Sequence, residues 1–227
     1  MNLDFTNKKV IITGGTRGIG AAIARLFLKA GAKLLVTGTK DTNPEVQGVS
    51  DNNNTRYHQL DLHSDDSLNK FLNALNKLKK IDVLINNAGV NKIESISNIS
   101  SNDWDWINSV NLKGPFLLTR TVSEMMKKQN SGKIINVASI FGVISKEKRA
   151  AYSSTKWGLI GLTKAVFIFG RFNPPTAGHE MLINHAIGIQ ESENRELFVF
   201  ISRGTGGANK KKQAQNPLEF NDKLQLL

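Results

Sequence analysis

Two residues one helical turn apart, Tyr152 and Lys156, are the clearest candidates for proton-transfer chemistry in this chain. Side chains four residues apart share one face of a helix. A free tyrosine has a pKa near ~10, too high for ready proton exchange at neutral pH, and a neighbouring ammonium group lowers that pKa. Tyr152 could then donate a proton to a carbonyl oxygen while a hydride reaches the carbonyl carbon. The same spacing also arises by chance on amphipathic helices, so it needs support from other residues.

A glycine-rich turn near the N-terminus has the composition of a phosphate-binding loop. It reads Thr13-Gly14-Gly15-Thr16-Arg17-Gly18-Ile19-Gly20, between an apolar run at 10–12 and a helical pattern at 21–28. Glycine permits positive φ and close approach of backbone N–H groups to an anion, and a helix N-terminus adds the positive end of its dipole. The G-x-x-x-G-x-G spacing differs from the commoner G-x-G-x-x-G, so a turn that is merely tightly packed remains the alternative on glycine spacing alone.

Strands and helices alternate along the first 163 residues. Apolar and β-branched runs predict strands at 10–12, 33–38, 56–60, 82–86 and 133–137. Helical periodicity predicts helices at 21–28, at 65–78 with Ser64 as cap, in two stretches of 102–129 interrupted near Gly114-Pro115, and at 151–163. This alternation predicts an α/β fold, a Rossmann-type doubly wound parallel sheet with helices on both faces. Ligands bind beyond the carboxyl ends of such strands, where Gly14, Asn87 and Ser139 fall.

The residues after the second predicted strand indicate which dinucleotide fits. An acid at the end of this strand binds the ribose hydroxyls of NAD, and positions 37–39 hold none. Arg17, Thr39 and Lys40 offer hydrogen-bond donors and positive charge, which favours the 2′-phosphate of NADP. The alternative for Lys40 is a solvated loop residue. Asp61, after the third strand, is placed to accept a hydrogen bond from an adenine amino group.

Composition restricts the remaining possibilities. The 227 residues, 40% hydrophobic, suffice for one good α/β core, and there is no cysteine for disulfide or thiolate chemistry. No apolar run reaches the ~18 residues of a membrane span, and residues 1–5 lack a signal pattern. The net charge of +11 is scattered without interleaved aromatic residues, so we expect a solvated surface around an anionic cofactor. We predict a cytoplasmic protein with no bound metal, no nucleic-acid partner and no membrane partner.

Taken together, residues 1 to about 164 resemble a short-chain dehydrogenase/reductase. The resemblance rests on Thr13-Gly14-x-x-x-Gly18-x-Gly20, Asp61-Leu62, Asn86-Asn87-Ala88-Gly89, Asn111, Ser139 and Tyr152-x-x-x-Lys156. It implies that Tyr152 is the general acid/base, that Lys156 binds the nicotinamide ribose and lowers the tyrosine pKa, and that Ser139 polarises the substrate carbonyl. It also implies that Asn111 holds a water in the proton relay.

The same resemblance implies a cofactor site and a reaction. The implied cofactor-binding residues are Gly14, Thr16, Arg17, Gly18, Ile19, Gly20, Thr39, Asp61, Leu62, Asn87, Ala88, Gly89, Tyr152 and Lys156. Within that family, the chain resembles a β-ketoacyl-(acyl carrier protein) reductase. Such an enzyme uses NADPH to reduce a 3-oxoacyl thioester or similar carbonyl. The substrate would be a small molecule or carrier-bound. The helices at about 112–129 and 151–163 are candidates for contact between two copies of the chain.

The sequence after Lys164 departs from that family. Residues 165–169 and 196–202 predict strands, and the segment from Gly170 to His179 resembles the start of an HxGH-type nucleotidylyltransferase. The resemblance implies nucleotide contacts from Gly170, Arg171, Phe172, Thr176 and His179. The family's later phosphate-binding motif does not follow. Asn209-Lys210-Lys211-Lys212 could touch phosphates but is more often a solvated loop.

The sequence thus predicts two parts of the chain. They are a dinucleotide-binding reductase domain at 1–164 and a nucleotidylyltransferase-like fragment at 165–227. No flexible spacer separates them, and the join lies near residues 163–165. Recombination, an assembly artefact or design would each produce such a hybrid. We expect the tail strands to supply the final strands of the reductase sheet. Three functions stay open: an NADP-dependent carbonyl reductase, nucleotidyl transfer by the tail, and an inactive hybrid that only binds a dinucleotide.

Overall fold

Five parallel strands form the central sheet. The computed structural model describes residues 4–41, 46 and 53–162, and the backbone of two further strands at 165–170 and 196–201. The central strands are β1 (Lys9–Ile12), β2 (Lys33–Gly38), β3 (Thr55–Gln59), β4 (Val83–Asn86) and β5 (Lys133–Asn136). Their order is β3-β2-β1-β4-β5, with every neighbouring pair parallel. The predicted parallel α/β sheet is confirmed.

Successive residues of the central strands bury their side chains on opposite faces of the sheet. Val10 and Ile12 pack in one cluster with Ala21 and Ala24 of the first helix. Ile11, between them, packs in a second cluster, whose members include Leu68, Phe71 and Leu75 of the second helix and Leu118 and Val122 of the fourth. Strands that are apolar at every position are typical of a parallel sheet covered on both faces. The doubly wound arrangement follows from these two cores.

The strand order reverses between β1 and β4. From β1 the chain adds β2 and β3 on one side, and it then returns to place β4 and β5 on the other. Loops that leave β1 and β4 at their carboxyl ends therefore separate to opposite faces and open a crevice. Ligand sites in doubly wound sheets lie at this reversal.

Five α-helices connect and cover the strands in the described part of the chain. They are α1 (Gly18–Lys29), α2 (Asp65–Asn76), α3 (Ser101–Asn108), α4 (Gly114–Gln129) and α5 (Ala150–Gly161). The predicted cap of α2 is confirmed, because the Ser64 side chain accepts a hydrogen bond from the Ser67 N–H. Ser100 caps α3 in the same way by accepting from the Asp103 N–H.

The two helical stretches predicted within 102–129 are confirmed as α3 and α4, and the boundary between them lies directly before Gly114-Pro115. Residues 109–113 form a π turn that joins α3 to α4, and Pro115 lies in the first turn of α4, where a missing N–H is tolerated. Gly114 is buried against Leu62, whose side-chain carbon would lie 2.9 Å from a Cβ at position 114. Close packing therefore explains this glycine better than a helix break does.

Two further strands follow α5, as predicted. They are β6 (Ala165–Gly170) and β7 (Glu196–Ile201), which pair in parallel as a separate two-stranded sheet. The prediction that they supply the final strands of the reductase sheet is therefore not confirmed. Residues of β7 come within 8 Å of β5 by Cα distance. Helix α5 ends at Gly161, before the predicted join at 163–165.

Candidate active site

The glycine turn after β1 forms a narrow cradle. Gly14 and Gly18 adopt positive φ values of 62° and 57°, which side-chain-bearing residues rarely adopt. A Cβ on Gly20 would lie 2.2 Å from the Gly14 carbonyl oxygen and 2.6 Å from Asn87 Nδ2. These glycines are therefore required by backbone conformation and by close approach. The cradle fits a dinucleotide pyrophosphate, because a side chain at these positions would fill it.

Helix α1 begins inside this turn without a side-chain cap. Its N-cap residue, Arg17, makes no capping hydrogen bond through its side chain, unlike the serines that cap α2 and α3. The first N–H groups of a helix need acceptors, and the N-terminus carries partial positive charge. An anion seated in the glycine cradle would supply those acceptors.

The Thr13 hydroxyl and the Asn87 amide join the glycine turn to β4. Thr13 Oγ1 accepts from the N–H groups of Asn87 and Ala88, each over 3.0 Å, and Thr13 itself is buried. Asn87 Nδ2 donates back to the carbonyl oxygens of Thr13 and Gly14 over 2.9 and 3.1 Å. The Asn87 side chain thus shapes the cradle by binding two backbone carbonyl groups of the glycine turn. Sequence reasoning named Asn87 but missed Thr13 as its partner.

Lys156 is buried on α5 with its ammonium group at the end of β5. Its Nζ donates to the Val137 carbonyl oxygen over 2.9 Å and lies 5.7 Å from the centre of the Tyr152 ring. Burial lowers the pKa of the Lys156 ammonium to about 8. The predicted one-turn proximity of the Tyr152 and Lys156 side chains is confirmed. The catalytic roles of the two residues stay predictions.

Asn111, in the π turn, has its side chain fully engaged by neighbouring groups. Oδ1 accepts from the Val90 N–H over 2.8 Å, and Nδ2 donates to the Val90 carbonyl and to Thr155 Oγ1 over 2.9 and 3.2 Å. The Thr155 hydroxyl in turn donates to the Tyr152 carbonyl over 2.7 Å. Asn111 therefore fixes the start of α5 against the segment after β4. Thr155, inside the Tyr-x-x-x-Lys motif, is a positioning residue that sequence reasoning missed.

Gly89, Asn111 and Lys156 converge on one small volume. A Cβ placed on Gly89 would lie 3.5 Å from Asn111 Oδ1 and 3.6 Å from Lys156 Nζ. Gly89 follows the cradle-bracing Asn87 by two residues. The glycine cradle and the Tyr152–Lys156 helix are therefore parts of one site, as their positions at the strand ends predicted.

Ser139 lies at the carboxyl end of β5, close to the start of α5. Its hydroxyl accepts from the Phe141 N–H over 3.2 Å and caps the short 3₁₀ helix Ile140–Gly142. The Phe141 ring meets the Tyr152 ring edge-on, with centroids 6.4 Å apart. Ser139 and Tyr152 are thus linked through Phe141, and the serine hydroxyl hydrogen can still be donated to a carbonyl oxygen.

The predicted adenosine end of the site lies beside β3. A surface cavity there is lined by Thr39, His58, Gln59, Asp61, Ser64, Asp66, Ser67 and Lys70. Asp61 Oδ1 accepts from the His63 N–H over 2.9 Å, which leaves Oδ2 for an adenine amino group. Leu62 is buried in the core against Gly114. Its side chain therefore serves packing, and any contact from Leu62 to a cofactor would come from its backbone.

Most nucleotide-site residues predicted for the tail lie outside the described residues. Gly170 ends β6, and Arg171, Phe172, Thr176 and His179 are not among the positions described. Across the described ranges, no group of three His, Cys, Asp or Glu side chains could hold a metal ion. Nor is any described helix long and apolar enough to cross a membrane.

Comparison with known proteins shows that the chain belongs to a family of oxidoreductases. The short chain dehydrogenase family model matches residues 8–167. The 3-oxoacyl-(acyl-carrier-protein) reductase FabG of Aquifex aeolicus (strain VF5) is 35% identical over 171 residues, covering 73% of this chain and 69% of that protein. The chain belongs to the short-chain dehydrogenase/reductase family, and it is an enzyme of that class, whose cofactor is NAD or NADP.

Solved structures of the same fold carry either nicotinamide cofactor. A metagenomic short-chain oxidoreductase in complex with NADP aligns with a TM-score of 0.63 at 26% identity, covering 90% of this chain and 85% of the other. A 4-hydroxyisoleucine dehydrogenase complexed with NADH and succinate aligns with a TM-score of 0.66 at 26% identity, covering 87% and 100%. The choice between NADP and NAD therefore depends on residues of this chain.

Proposed function

We propose that this protein is an NADPH-dependent carbonyl reductase that converts a 3-oxoacyl thioester, or a similar ketone, to the alcohol. The observation that carries the proposal is the buried Lys156 ammonium beside the Tyr152 ring, at the edge of the glycine cradle. A buried ammonium that lies beside a tyrosine ring is suited to lowering the pKa of the phenol. The proposed roles are those that the sequence predicted.

Each catalytic group has one task in the proposed reaction. Bound NADPH supplies the hydride that reaches the substrate carbonyl carbon. Tyr152 donates its hydroxyl proton to the carbonyl oxygen, and Ser139 holds that oxygen by donating its own hydroxyl hydrogen. The Lys156 charge stabilises the phenolate left on Tyr152. Reduction thus consumes one hydride and one proton, and Tyr152 recovers its proton from solvent.

We propose that the Asn111 carbonyl, rather than its side chain, holds the relay water. The side-chain amide is already hydrogen bonded to Val90 and Thr155. Pro115, four residues on, has no N–H and cannot donate the usual helical hydrogen bond to that carbonyl. Asn111 also lies in the π turn, and such turns are frequent at functional sites, so we propose that a water donates to its carbonyl oxygen.

NADPH rather than NADH is proposed because of the residues near the end of β2. Arg17 and Lys40 are exposed cations. Thr39 directly follows β2, lines the cavity beside β3 and is exposed as well. Positions 37–39 hold no acid that would repel a 2′-phosphate. The net charge of the chain, +11, adds a general attraction for the more anionic cofactor.

A 3-oxoacyl substrate is proposed from two apolar segments beside the site. Ile93 and Ile96 follow β4, Ile144 follows β5, and their side chains are between half and four-fifths exposed. The Glu94 N–H donates to the Lys148 carbonyl over 3.2 Å and ties the two segments together. An acyl chain would cover these side chains. The similarity to 3-oxoacyl reductases points to the same substrate class.

The experiment that tests this function follows NADPH oxidation with an acetoacetyl thioester as substrate. We expect turnover that depends on both reactants and a 3-hydroxyacyl product. NADPH binding without turnover on thioester, ketone or sugar carbonyls would instead favour the inactive dinucleotide-binding hybrid. Titration of NADPH fluorescence separates these two outcomes.

We further propose that a second copy of the chain packs against α4 and α5. Phe116 on α4 and Trp157 on α5 are 42% and 52% exposed, and Leu162, just after α5, is 41% exposed. Large apolar side chains grouped on a helical face are typical of an interface. Sedimentation equilibrium tests this, and a Trp157→Lys variant that stays as associated as the wild type would contradict it.

For residues 165–227 we propose a structural role without nucleotidyl transfer. The proposal is supported by the Cα distances of less than 8 Å between β7 and β5, although β6 and β7 pair in a sheet of their own. We expect His179→Ala to leave reductase activity within about twofold, and deletion from Val166 onward to destabilise the reductase domain. Pyrophosphate release from a nucleoside triphosphate that disappears in His179→Ala would establish the transferase alternative.

A further inference from the structure

Side chains of β3 hold three successive carbonyl groups of the segment that follows β2. Tyr57 Oη contacts the carbonyl oxygens of Gly38 and Lys40 over 2.9 and 2.5 Å, and it shares its one hydrogen between them. Gln59 Nε2 donates to the Thr39 carbonyl over 3.3 Å. We call this set of contacts the β3 clasp. Burial, followed by the charge of Asp41, raises the pKa of Tyr57, so its hydroxyl remains a donor at neutral pH.

The β3 clasp breaks the normal alternation of a strand. Successive carbonyls of a parallel strand point to opposite sides, and the Thr37 carbonyl accordingly accepts from the Gly15 N–H on the β1 side. The Gly38 carbonyl points to β3, where the Leu60 N–H donates to it over 2.7 Å. The Lys40 carbonyl, bound by Tyr57, follows this alternation, whereas the Thr39 carbonyl should point back toward β1 and is instead bound by Gln59 of β3.

The orientation of these carbonyls determines where the N–H groups point. In a trans peptide the N–H lies antiparallel to the preceding carbonyl. The N–H groups of Thr39, Lys40 and Asp41 therefore point away from β3, to the side of β2 on which β1 and the glycine turn lie. Successive N–H groups that point the same way form an anion-binding concavity.

The segment is also fixed from the side of the glycine turn. A Cβ on Gly38 would lie 3.4 Å from the Thr16 side chain and 3.4 Å from Tyr57 Oη. Gly38 thus lies between the turn and the clasp, and Thr39 and Lys40 follow it directly. The clasp and the glycine turn together set the position of the two residues proposed to recognise the cofactor.

We propose that Tyr57 and Gln59 are positioning residues that set the preference for NADPH, because they orient the backbone N–H groups of residues 39–41 and the side chains of Thr39 and Lys40 toward the 2′-phosphate. This inference rests on the proposed NADPH-dependent function. Neither residue needs to touch the cofactor for this role. The clasp contacts only the end of β2 and the residues after it, so we expect it to act on binding of the cofactor and not on proton transfer.

The test uses Tyr57→Phe, which keeps the ring and removes only the hydroxyl. We expect the Kd for NADPH to rise about fivefold to tenfold, the Kd for NADH to stay within twofold, and kcat at saturating NADPH to stay unchanged. Gln59→Met should weaken NADPH binding in the same direction by a smaller factor. Thr55→Val is the matched control on β3, because the buried Thr55 hydroxyl has no hydrogen-bond partner among the described residues.

A second readout is independent of cofactor choice. The backbone ¹⁵N NMR order parameters of residues 39–41 in the cofactor-free protein should fall in Tyr57→Phe and stay unchanged in Thr55→Val. If the wild type shows no preference for NADPH, the cofactor assignment of the proposed function fails. If the wild type prefers NADPH and Tyr57→Phe keeps that preference, or weakens both cofactors equally, the positioning role is overturned.

Discussion

The Lys156 ammonium donates to the main-chain carbonyl of Val137 over 2.9 Å and so ties α5 to the end of β5. Val137 is itself held to β4, because its N–H donates to the Asn86 carbonyl over 2.9 Å. Lys156 is thus positioned at the same carboxyl end of the sheet that carries Asn87 and Ser139. The burial of its ammonium group has a measurable effect on stability.

Burial of Lys156 makes the stability of the wild type depend on pH. Its pKa is about 8 in the folded protein and ~10.4 when unfolded, so between these values the unfolded chain binds the extra proton. The free energy of unfolding should therefore rise with pH in this window. Relative to Lys156→Met, we expect the wild type to gain about 2 kcal/mol between pH 7 and pH 9.5.

Urea unfolding of both proteins at pH 7 and pH 9.5 measures this difference. Groups distant from Lys156 titrate equally in the two proteins and cancel, and a Tyr152→Phe background in both proteins removes the titration of Tyr152, which is coupled to Lys156. A difference between the two proteins that does not change with pH would show that the Lys156 ammonium is solvated in the folded state.

The Thr13 hydroxyl should be required for both stability and cofactor binding. Thr13→Val keeps the shape of the side chain but leaves the Ala88 N–H without its acceptor, whereas the Asn87 N–H keeps a second acceptor in the Ile85 carbonyl, 3.1 Å away. A buried N–H left unsatisfied costs about 1–3 kcal/mol, so we expect a loss of about 1–3 kcal/mol in the free energy of unfolding. Thr13→Ser, which retains the hydroxyl, is the control and should lose less than half as much. Equal losses in the two variants would assign the effect to packing.

Gly20 should tolerate no side chain. Its Cβ would lie 2.2 Å from the Gly14 carbonyl oxygen, so Gly20→Ala must shift the glycine cradle. We expect NADPH affinity to fall at least tenfold, and stability to fall by about 1–3 kcal/mol as in other overpacked sites. Gly161→Ala is the matched control, because nothing lies within 4 Å of its added Cβ and alanine favours a helix. Fluorescence titration of NADPH would contradict the cradle if Gly20→Ala bound as tightly as the control.

The proposed cofactor preference has its own test. We expect the Kd for NADPH to be at least tenfold lower than the Kd for NADH, because Arg17 and Lys40 attract the additional phosphate. Lys40→Ala should reduce that ratio, with a stronger effect at low salt, since exposed charges are screened. Lys128→Ala, on the exposed end of α4, removes the same charge elsewhere and should leave the ratio unchanged. Equal affinities of the wild type for the two cofactors would refute the preference.

The strands and the glycine turn could be predicted from sequence because their signals are local. β1 and β4 are apolar at nearly every position, and the glycine spacing lies directly between β1 and α1. The Ser64 cap of α2 was also predictable, since the cap and the N–H it binds are three residues apart.

Features that depend on tertiary neighbours could not be predicted. The hydroxyl of Thr13 binds N–H groups more than seventy residues away, and Tyr57 binds carbonyls of a neighbouring strand. The π turn at 109–113 was missed because glycine and proline together usually end a helix, whereas here Gly114 packs against Leu62. Which strands lie side by side decides these contacts, and local patterns carry no such information.

The central claim is that Tyr152 transfers the proton while the glycine cradle holds the cofactor, and Tyr152→Phe tests it most directly. NADPH oxidation with an acetoacetyl thioester and NADPH fluorescence titration are measured on the same preparation, beside wild type. The account predicts that turnover falls at least a thousandfold while the Kd for NADPH stays within about threefold. Turnover within tenfold of the wild type, with NADPH still bound, would contradict the assignment of Tyr152 as the proton donor.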